Sequence, residues 1–288
     1  MSVLFWGRSV CDLTYLVENF PEENSKIFSS DFIIQPGGTA LNPAITFAHL
    51  SGSANLVSRL GNNNFAQIVE DALKKYNVDV FDLSEDDDFQ IPISTIFVNS
   101  KNGSRTIINS PKDETVKFPG KEKLYKIIEE INPELILIDG FELEGCYEVL
   151  EYCRKKNIKI VFDGGSWKEN TNEFLKYVDI AICSSKFAAP GLNIEETIKK
   201  LHETGIKFVA FTQDENPIIS SIENKKELIP VEKVKAVDTL GAGDVFHGAF
   251  CYYFLKSNDF NFSLKEAARD ASNSCRYFGT HTWISNQK

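Results

Sequence analysis

Asp238-Thr239-Leu240-Gly241-Ala242-Gly243-Asp244, continuing as Val245-Phe246-His247-Gly248-Ala249-Phe250, sets two carboxylates on either side of a small-residue turn. It then runs on as an apolar segment at helical spacing. Gly241 and Gly243 permit turns closed to other residues and leave backbone N–H groups open. A helix that begins there offers those N–H groups and its dipole to an anion. Asp244 falls at the same helix start. An acidic side chain repels a bound anion, so simple phosphate holding fits poorly. A general base that takes a proton from a hydroxyl fits better, with the Gly241-Ala242-Gly243 turn stabilising a transferring phosphoryl group. Taken alone, the segment is more often a plain strand-to-helix turn whose Asp244 is favoured by the dipole.

A second turn, Pro36-Gly37-Gly38-Thr39-Ala40-Leu41-Asn42-Pro43-Ala44, opens onto a helix with Ala44, Ile45, Phe47, Ala48 and Leu50 on its buried face. Gly61 closes the strand Asn55–Leu60 that follows. Gly37-Gly38-x-Ala40-x-Asn42-x-Ala44, six residues, Ser51, nine residues and Gly61 resembles the first signature of the ribokinase-like (PfkB) carbohydrate kinases. Asp238-Thr239-x-Gly241-Ala242-Gly243-Asp244, three residues and Gly248-Ala249 resembles the second. Both match without a gap and in order, and the resemblance runs from Val3 to about Gly279.

The resemblance implies an ATP-dependent sugar kinase that uses Mg²⁺. Asp238 and Leu240 fall where many members supply oxygens to a monovalent cation such as K⁺. The implied fold is α/β and ribokinase-like: one domain over residues 1–288, a central mostly parallel sheet flanked by helices, and a small β lid drawn from roughly 8–35 and 90–110. That lid often forms a homodimer interface in the family. Within the family the likeness is greatest to the ketohexokinases, through Val10-Cys11-Asp12-Leu13, Phe20-Pro21-Glu22-Glu23-Asn24-Ser25, Asn102-Gly103-Ser104-Arg105-Thr106-Ile107 and Cys183-Ser184-Ser185-Lys186. A ketohexose phosphorylated on a primary hydroxyl is therefore the expected acceptor. Asn24 and Thr39 depart from that pattern, which has Asp and Asn there, at positions that face the sugar. The acidic residue of the Asn-x-x-Glu motif common in the family is also missing from Ser184-Ser185-Lys186-Phe187.

By the same resemblance, Asp12, Gly37, Gly38, Thr39, Asn42 and Asn24 contact the sugar. Asp12 reads as the end of the first strand, where an Asp is otherwise a turn former. Asn42 offers a donor and an acceptor to a hydroxyl, with helix capping as its alternative. Arg105 reaches the transferring phosphate, or is a solvated charge on a hairpin edge. Lys168, Lys186, Thr212, Cys275 and Gly279 fall where the nucleotide is cradled, alongside Gly241 and Gly243. His247, one turn past Asp244, reads as a packing or rim residue because Asp244 fills the base position.

The rest of the chain fits this frame. Its 288 residues, 42% hydrophobic and 25% charged, suit a globular α/β domain with a large core. A net charge of −10 argues against nucleic acid or an anionic membrane as partner and makes individual basic residues matter at an ATP site. The six cysteines show no CxxC pairing and no ligand spacing with the four histidines, as expected of reduced thiols in a cytoplasmic protein. The start Met1–Arg8 lacks the features of a signal peptide, and no run approaches the ~20 apolar residues of a membrane span.

Strand-like runs such as Leu135–Ile138, Ile158–Phe162, Asp179–Cys183 and Phe208–Thr212 alternate with helical ones at Gly145–Lys156 and Ile194–Glu203. This is the pattern of a parallel sheet with right-handed crossovers. Ligands bind beyond the carboxyl ends of such strands, which places Asp139, Asp163, Ser184, Thr212 and Gly241–Asp244 on one rim. Asp31–Gln35, and Ile93–Asn99 with Ser104–Ile108 around Lys101-Asn102-Gly103, read as antiparallel lid strands. Two other functions share these features: a kinase for a nucleoside or other hydroxyl compound, and a non-catalytic sugar or nucleotide sensor. The intact Gly241-Ala242-Gly243-Asp244 argues against the sensor, which is free to lose it.

Overall fold

The computed structural model describes residues 1–84, 88–111, 120–141, 143 and 145–286. Its strands are β1 (Val3–Trp6), β2 (Val10–Val17), β3 (Asp31–Gly37), β4 (Ala54–Ser58), β5 (Val78–Asp82), β6 (Ile93–Asn99), β7 (Arg105–Asn109), β8 (Leu135–Ile138), β9 (Lys159–Gly164), β10 (Ile180–Ser184), β11 (Phe208–Gln213), β12 (Asn216–Ile222) and β13 (Lys225–Ile229). Its helices are α1 (Leu41–Ser51), α2 (Asn64–Lys75), α3 (Lys121–Ile131), α4 (Tyr147–Lys155), α5 (Thr171–Phe174), α6 (Ile194–Glu203), α7 (Ala242–Ser257), α8 (Phe260–Ser274) and α9 (Thr282–Ser285).

A nine-stranded sheet runs in the order β13-β12-β11-β10-β9-β8-β1-β4-β5. From β5 to β11 the pairs are parallel, and β12 and β13 add an antiparallel edge. Its central strands are apolar on both faces because helices cover both. In β8, Leu135 and Leu137 join the core under α1, α7 and α8, whereas Ile136 and Ile138 join the core under α3, α4 and α6. All six cysteines are free and buried. Among the described residues no helix is long and apolar enough to cross a membrane.

The second sheet has four strands in the order β3-β2-β6-β7. Two sequence expectations change here. The lid is mixed rather than antiparallel: β2 pairs in parallel with β6, while β3 and β7 flank them antiparallel. Asp12 does not end the first strand but lies inside β2, facing Gln35 on one side and Ser94 on the other. A polar residue inside the central strand of a small sheet reads as a strand end when its two partners are distant in sequence.

Candidate active site

Gly241 begins the site. It takes a left-handed conformation (φ 70°) as the N-cap of α7, and a Cβ there would come within 2.3 Å of the Thr280 methyl. The chain can therefore turn from residue 240 into the helix only with glycine. Asp238 bolts the turn down: its carboxylate accepts from the N–H of Leu240 at 2.8 Å and of Gly279 at 3.0 Å. The N–H groups of Gly243 and Asp244 lie in the first helical turn, where no intrahelical acceptor exists. Gly243 is exposed, with open space where a Cβ would stand.

The Gly37-Gly38 pair performs a matching task at the start of α1. A Cβ on Gly37 would lie 2.1 Å from the Asp12 carboxylate, and one on Gly38 2.3 Å from the Arg8 carbonyl oxygen. The pair lets Asp12 of the lid and the loop after β1 close onto the helix start. Asn42 is not a cap, since Ala40 holds that position. It is buried, and its amide nitrogen donates to Oδ2 of Asp244 at 2.7 Å. Its own Oδ1 is buried without a partner among the described residues.

Carboxylates gather around this bond. Burial pushes Asp244 up to about 8, with the nearby charge of Asp163 adding to the rise and the Asn42 bond opposing it. Burial likewise pushes Asp12 up to about 7, against a hydrogen bond from Ser94. Asp139, Asp163 and Asp238 are also raised by burial. Perturbed acids clustered at a sheet rim are candidates for proton transfer.

Arg105 is exposed on β7, and its Nη1 donates to the Thr239 hydroxyl at 2.8 Å. That hydroxyl donates to the Gly103 carbonyl at 2.9 Å. The lid hairpin thus rests on the same turn that begins α7, and Thr239, which the sequence reading left without a role, is its landing point. The clue in the sequence was a hydroxyl residue inside the phosphate turn.

Other candidates lie further out. The Thr39 hydroxyl donates to Asp139 at 2.6 Å, and Asp139 also accepts from the N–H groups of Arg8 and Phe141. Lys168 donates to the Asp139 carbonyl at 2.8 Å and lies 3.8 Å from the centre of the Phe141 ring. Thr39 and Lys168 therefore brace the rim around Asp139. Asn24 is exposed, left-handed (φ 59°), in the loop joining Val17 to Asp31. Lys186 is exposed, its N–H donating to Ser184, and the half-buried Thr212 donates to the Cys183 carbonyl at 3.4 Å. Cys275 accepts from the N–H of Val237 through its carbonyl, and Gly279 adopts φ 90°. Asp139 and Asp163, rim residues with no assigned role in the sequence, prove to be part of the cluster. Their signal was an acid directly after an apolar strand.

Among the described residues no group of three His, Cys, Asp or Glu could hold a metal ion. The open N–H groups at Gly243 suit a polyphosphate. A magnesium ion at such a site is held mainly by the phosphates and water.

The chain resembles known proteins along its whole length. It is 23% identical to "Deoxyribokinase" of Salmonella typhi over 300 residues, covering 98% of this chain and 95% of that protein. It is 25% identical to "Ribokinase" of Lactococcus lactis over 279 residues, covering 95% and 90%. The solved ribokinase of Giardia lamblia superposes with a TM-score of 0.83 at 17% identity, over 98% of this chain and 95% of the other. The sequence profile of the pfkB family carbohydrate kinases matches residues 1–286. With both glycine turns, the rim acids and the lid lying inside that match, the chain belongs to the PfkB family of carbohydrate kinases, ATP-dependent phosphotransferases that act on sugar hydroxyls.

Proposed function

We propose that this kinase phosphorylates a primary hydroxyl of a free sugar held under the lid, with Asp244 as the general base. The Asn42–Asp244 bond carries the proposal. It fixes one carboxylate oxygen of Asp244 and leaves the other for the sugar hydroxyl, while the unpartnered Oδ1 of Asn42 accepts from a neighbouring hydroxyl. As the sugar oxygen attacks, its proton passes to Asp244. The first-turn N–H groups of α7 and the guanidinium of Arg105 meet the charge that develops. ATP, when bound with Mg²⁺, supplies the γ-phosphoryl group.

Asp12 and Asn42 favour a polyhydroxylated ligand; a nucleoside would need an apolar slot for its base. Ketohexoses and pentoses are the acceptors of first choice. Thr39 is engaged with Asp139 and Asn24 is exposed on a loop, so the sugar reading rests chiefly on Asp12, Asn42 and Arg105. ADP release should be measured across ketoses, aldoses, amino sugars and nucleosides. A sugar with the highest kcat/KM supports the proposal; a nucleoside turned over far faster than any sugar replaces it; no turnover of any compound favours a sensor.

The same proposal includes K⁺ beside Asp238 and Leu240, tested by comparing activity in potassium and tetramethylammonium buffers. It includes a homodimer through the lid, where Phe28 is 91% exposed and Phe32, Ile34 and Ile108 also face solvent. Sedimentation of the wild type against Phe28→Ser tests that. Free thiols and an ATP requirement fit a cytoplasmic location, which cell fractionation checks.

A further inference from the structure

His247 stands where helix and sheet rim meet, and phosphoryl transfer leaves it unused. Its ring is buried. Nδ1 lies 2.7 Å from the carbonyl oxygen of Gly243 and 3.5 Å from Oδ2 of Asp163, and Nε2 lies 3.3 Å from the carbonyl oxygen of Ile182. Three elements meet at one ring: the first turn of α7, the end of β9 and the middle of β10. Asp163 and Ile182 are themselves paired across the sheet.

Each ring nitrogen faces a backbone carbonyl, which can only accept: Gly243 at Nδ1 and Ile182 at Nε2. A proton on each nitrogen leaves no polar atom at this junction unpaired, whereas a single proton sets a lone pair against a carbonyl or carboxylate oxygen. Asp163 supplies the adjacent carboxyl. The other ionisable groups that reach the Asp163 side of the junction are Asp139, Lys168, Cys183 and Cys251, with Asp244 on the helix itself.

We propose that His247, donating from both ring nitrogens and paired with Asp163, is the positioning residue that fixes the first turn of α7, and with it Asp244 and the Gly243 N–H, against the sheet rim. His247 contacts the Gly243 carbonyl of its own helix while its ring reaches Asp163 of β9 and the Ile182 carbonyl of β10, so the helix start cannot rotate away without breaking these buried contacts. The proposal rests on the reading of Asp244 as the base.

Three variants and one spectrum test it. His247→Phe keeps the volume and removes both donors; His247→Gln restores one amide donor; Asp163→Asn removes the charge. The Phe change should lower kcat about 10²-fold with KM for sugar altered less than about threefold, because a misplaced reacting group costs rate rather than ground-state binding. His247→Gln should recover at least about tenfold of that loss, and adding Asp163→Asn to His247→Phe should cost little more, as expected of residues that act as a unit. Equal losses in Phe and Gln variants that track melting temperature, or fully additive losses, overturn the proposal.

The nitrogen-15 ring spectrum needs no acceptor and no folded variant beyond the Gln form. With four histidines in the chain, the His247 signals are those that the Gln change removes. Two N–H resonances for His247 at neutral pH are expected; a single one overturns the double donation. Failure of the wild type to phosphorylate any compound, with two N–H resonances present, counts against the function proposed above and leaves the positioning intact.

Discussion

A Cβ on Gly248 would lie 2.3 Å from the carbonyl oxygen of Pro43, so α1 and α7 touch backbone to backbone at that point. This contact sets the distance between the two glycine-led helix starts. Asn42, next to Pro43, and Asp244, one turn before Gly248, are thereby brought within hydrogen-bond range. The trailing glycine of the second motif is a spacer for the Asn42–Asp244 pair.

Gly248→Ala should therefore separate the helices. We expect a stability loss of about 1–3 kcal/mol, as for overpacked sites, together with a fall in kcat larger than any change in KM. Denaturant unfolding and steady-state kinetics measure both. A stable variant with unchanged kcat would show that the helices tolerate a wider spacing.

The ionisation of Asp244 predicts a pH profile. A base must be deprotonated to act, and burial holds this carboxyl up to about 8 in the free protein. Values of kcat/KM report the free enzyme, so they should rise with pH, reach half of their plateau near 8 and level off only above it. Rates flat from pH 5 to pH 9 would assign proton removal to another group.

The same shift acts on stability with a definite sign. The folded state keeps the Asp244 proton between the ordinary value of 3.8 and about 8, where the unfolded chain has lost it. Folding then binds protons, and the contribution present below pH 3.8 is lost as pH rises to about 8. Asp12 adds a loss of the same sign up to about 7. Asp244→Asn removes the titrating group. Its melting temperature should exceed the wild-type value increasingly from acid to alkaline pH, and a constant difference would contradict the shift.

Arg105 predicts a split in kinetic constants. Its guanidinium rests on Thr239, beside the Gly241–Gly243 turn proposed to meet the transferring phosphoryl group. Arg105→Ala should lower kcat more than it raises KM for sugar, by about 10-fold or more, in line with charged hydrogen-bond donors at a transition state. An effect confined to KM would make Arg105 a ground-state contact.

Much of the fold was legible because the strands of the large sheet are short, apolar on both faces and followed by acids or glycines. Leu135–Ile138 before Asp139 is the plainest case. The two glycine turns were legible because their residue types answer steric demands that side chains cannot meet. The lid was read less well. Asp12 pairs with Ser94 across a parallel ladder whose halves are far apart in sequence, and no local pattern reports such a pairing. The contacts of Thr39 and Lys168 with Asp139 had no sequence signal, because they exist only once β1, β8 and the start of α1 converge. Arg105 was found as a candidate, but its resting partner Thr239 depends on the lid hairpin folding over the turn.

The most direct test of the account is the rate of phosphoryl transfer to the best acceptor by wild type and Asp244→Asn, with sugar affinity measured by calorimetry in both. Loss of the general base should lower kcat about 10²–10⁴-fold while sugar affinity stays near the wild-type value. Near-wild-type kcat in the Asn variant would contradict the central claim that Asp244 takes the proton.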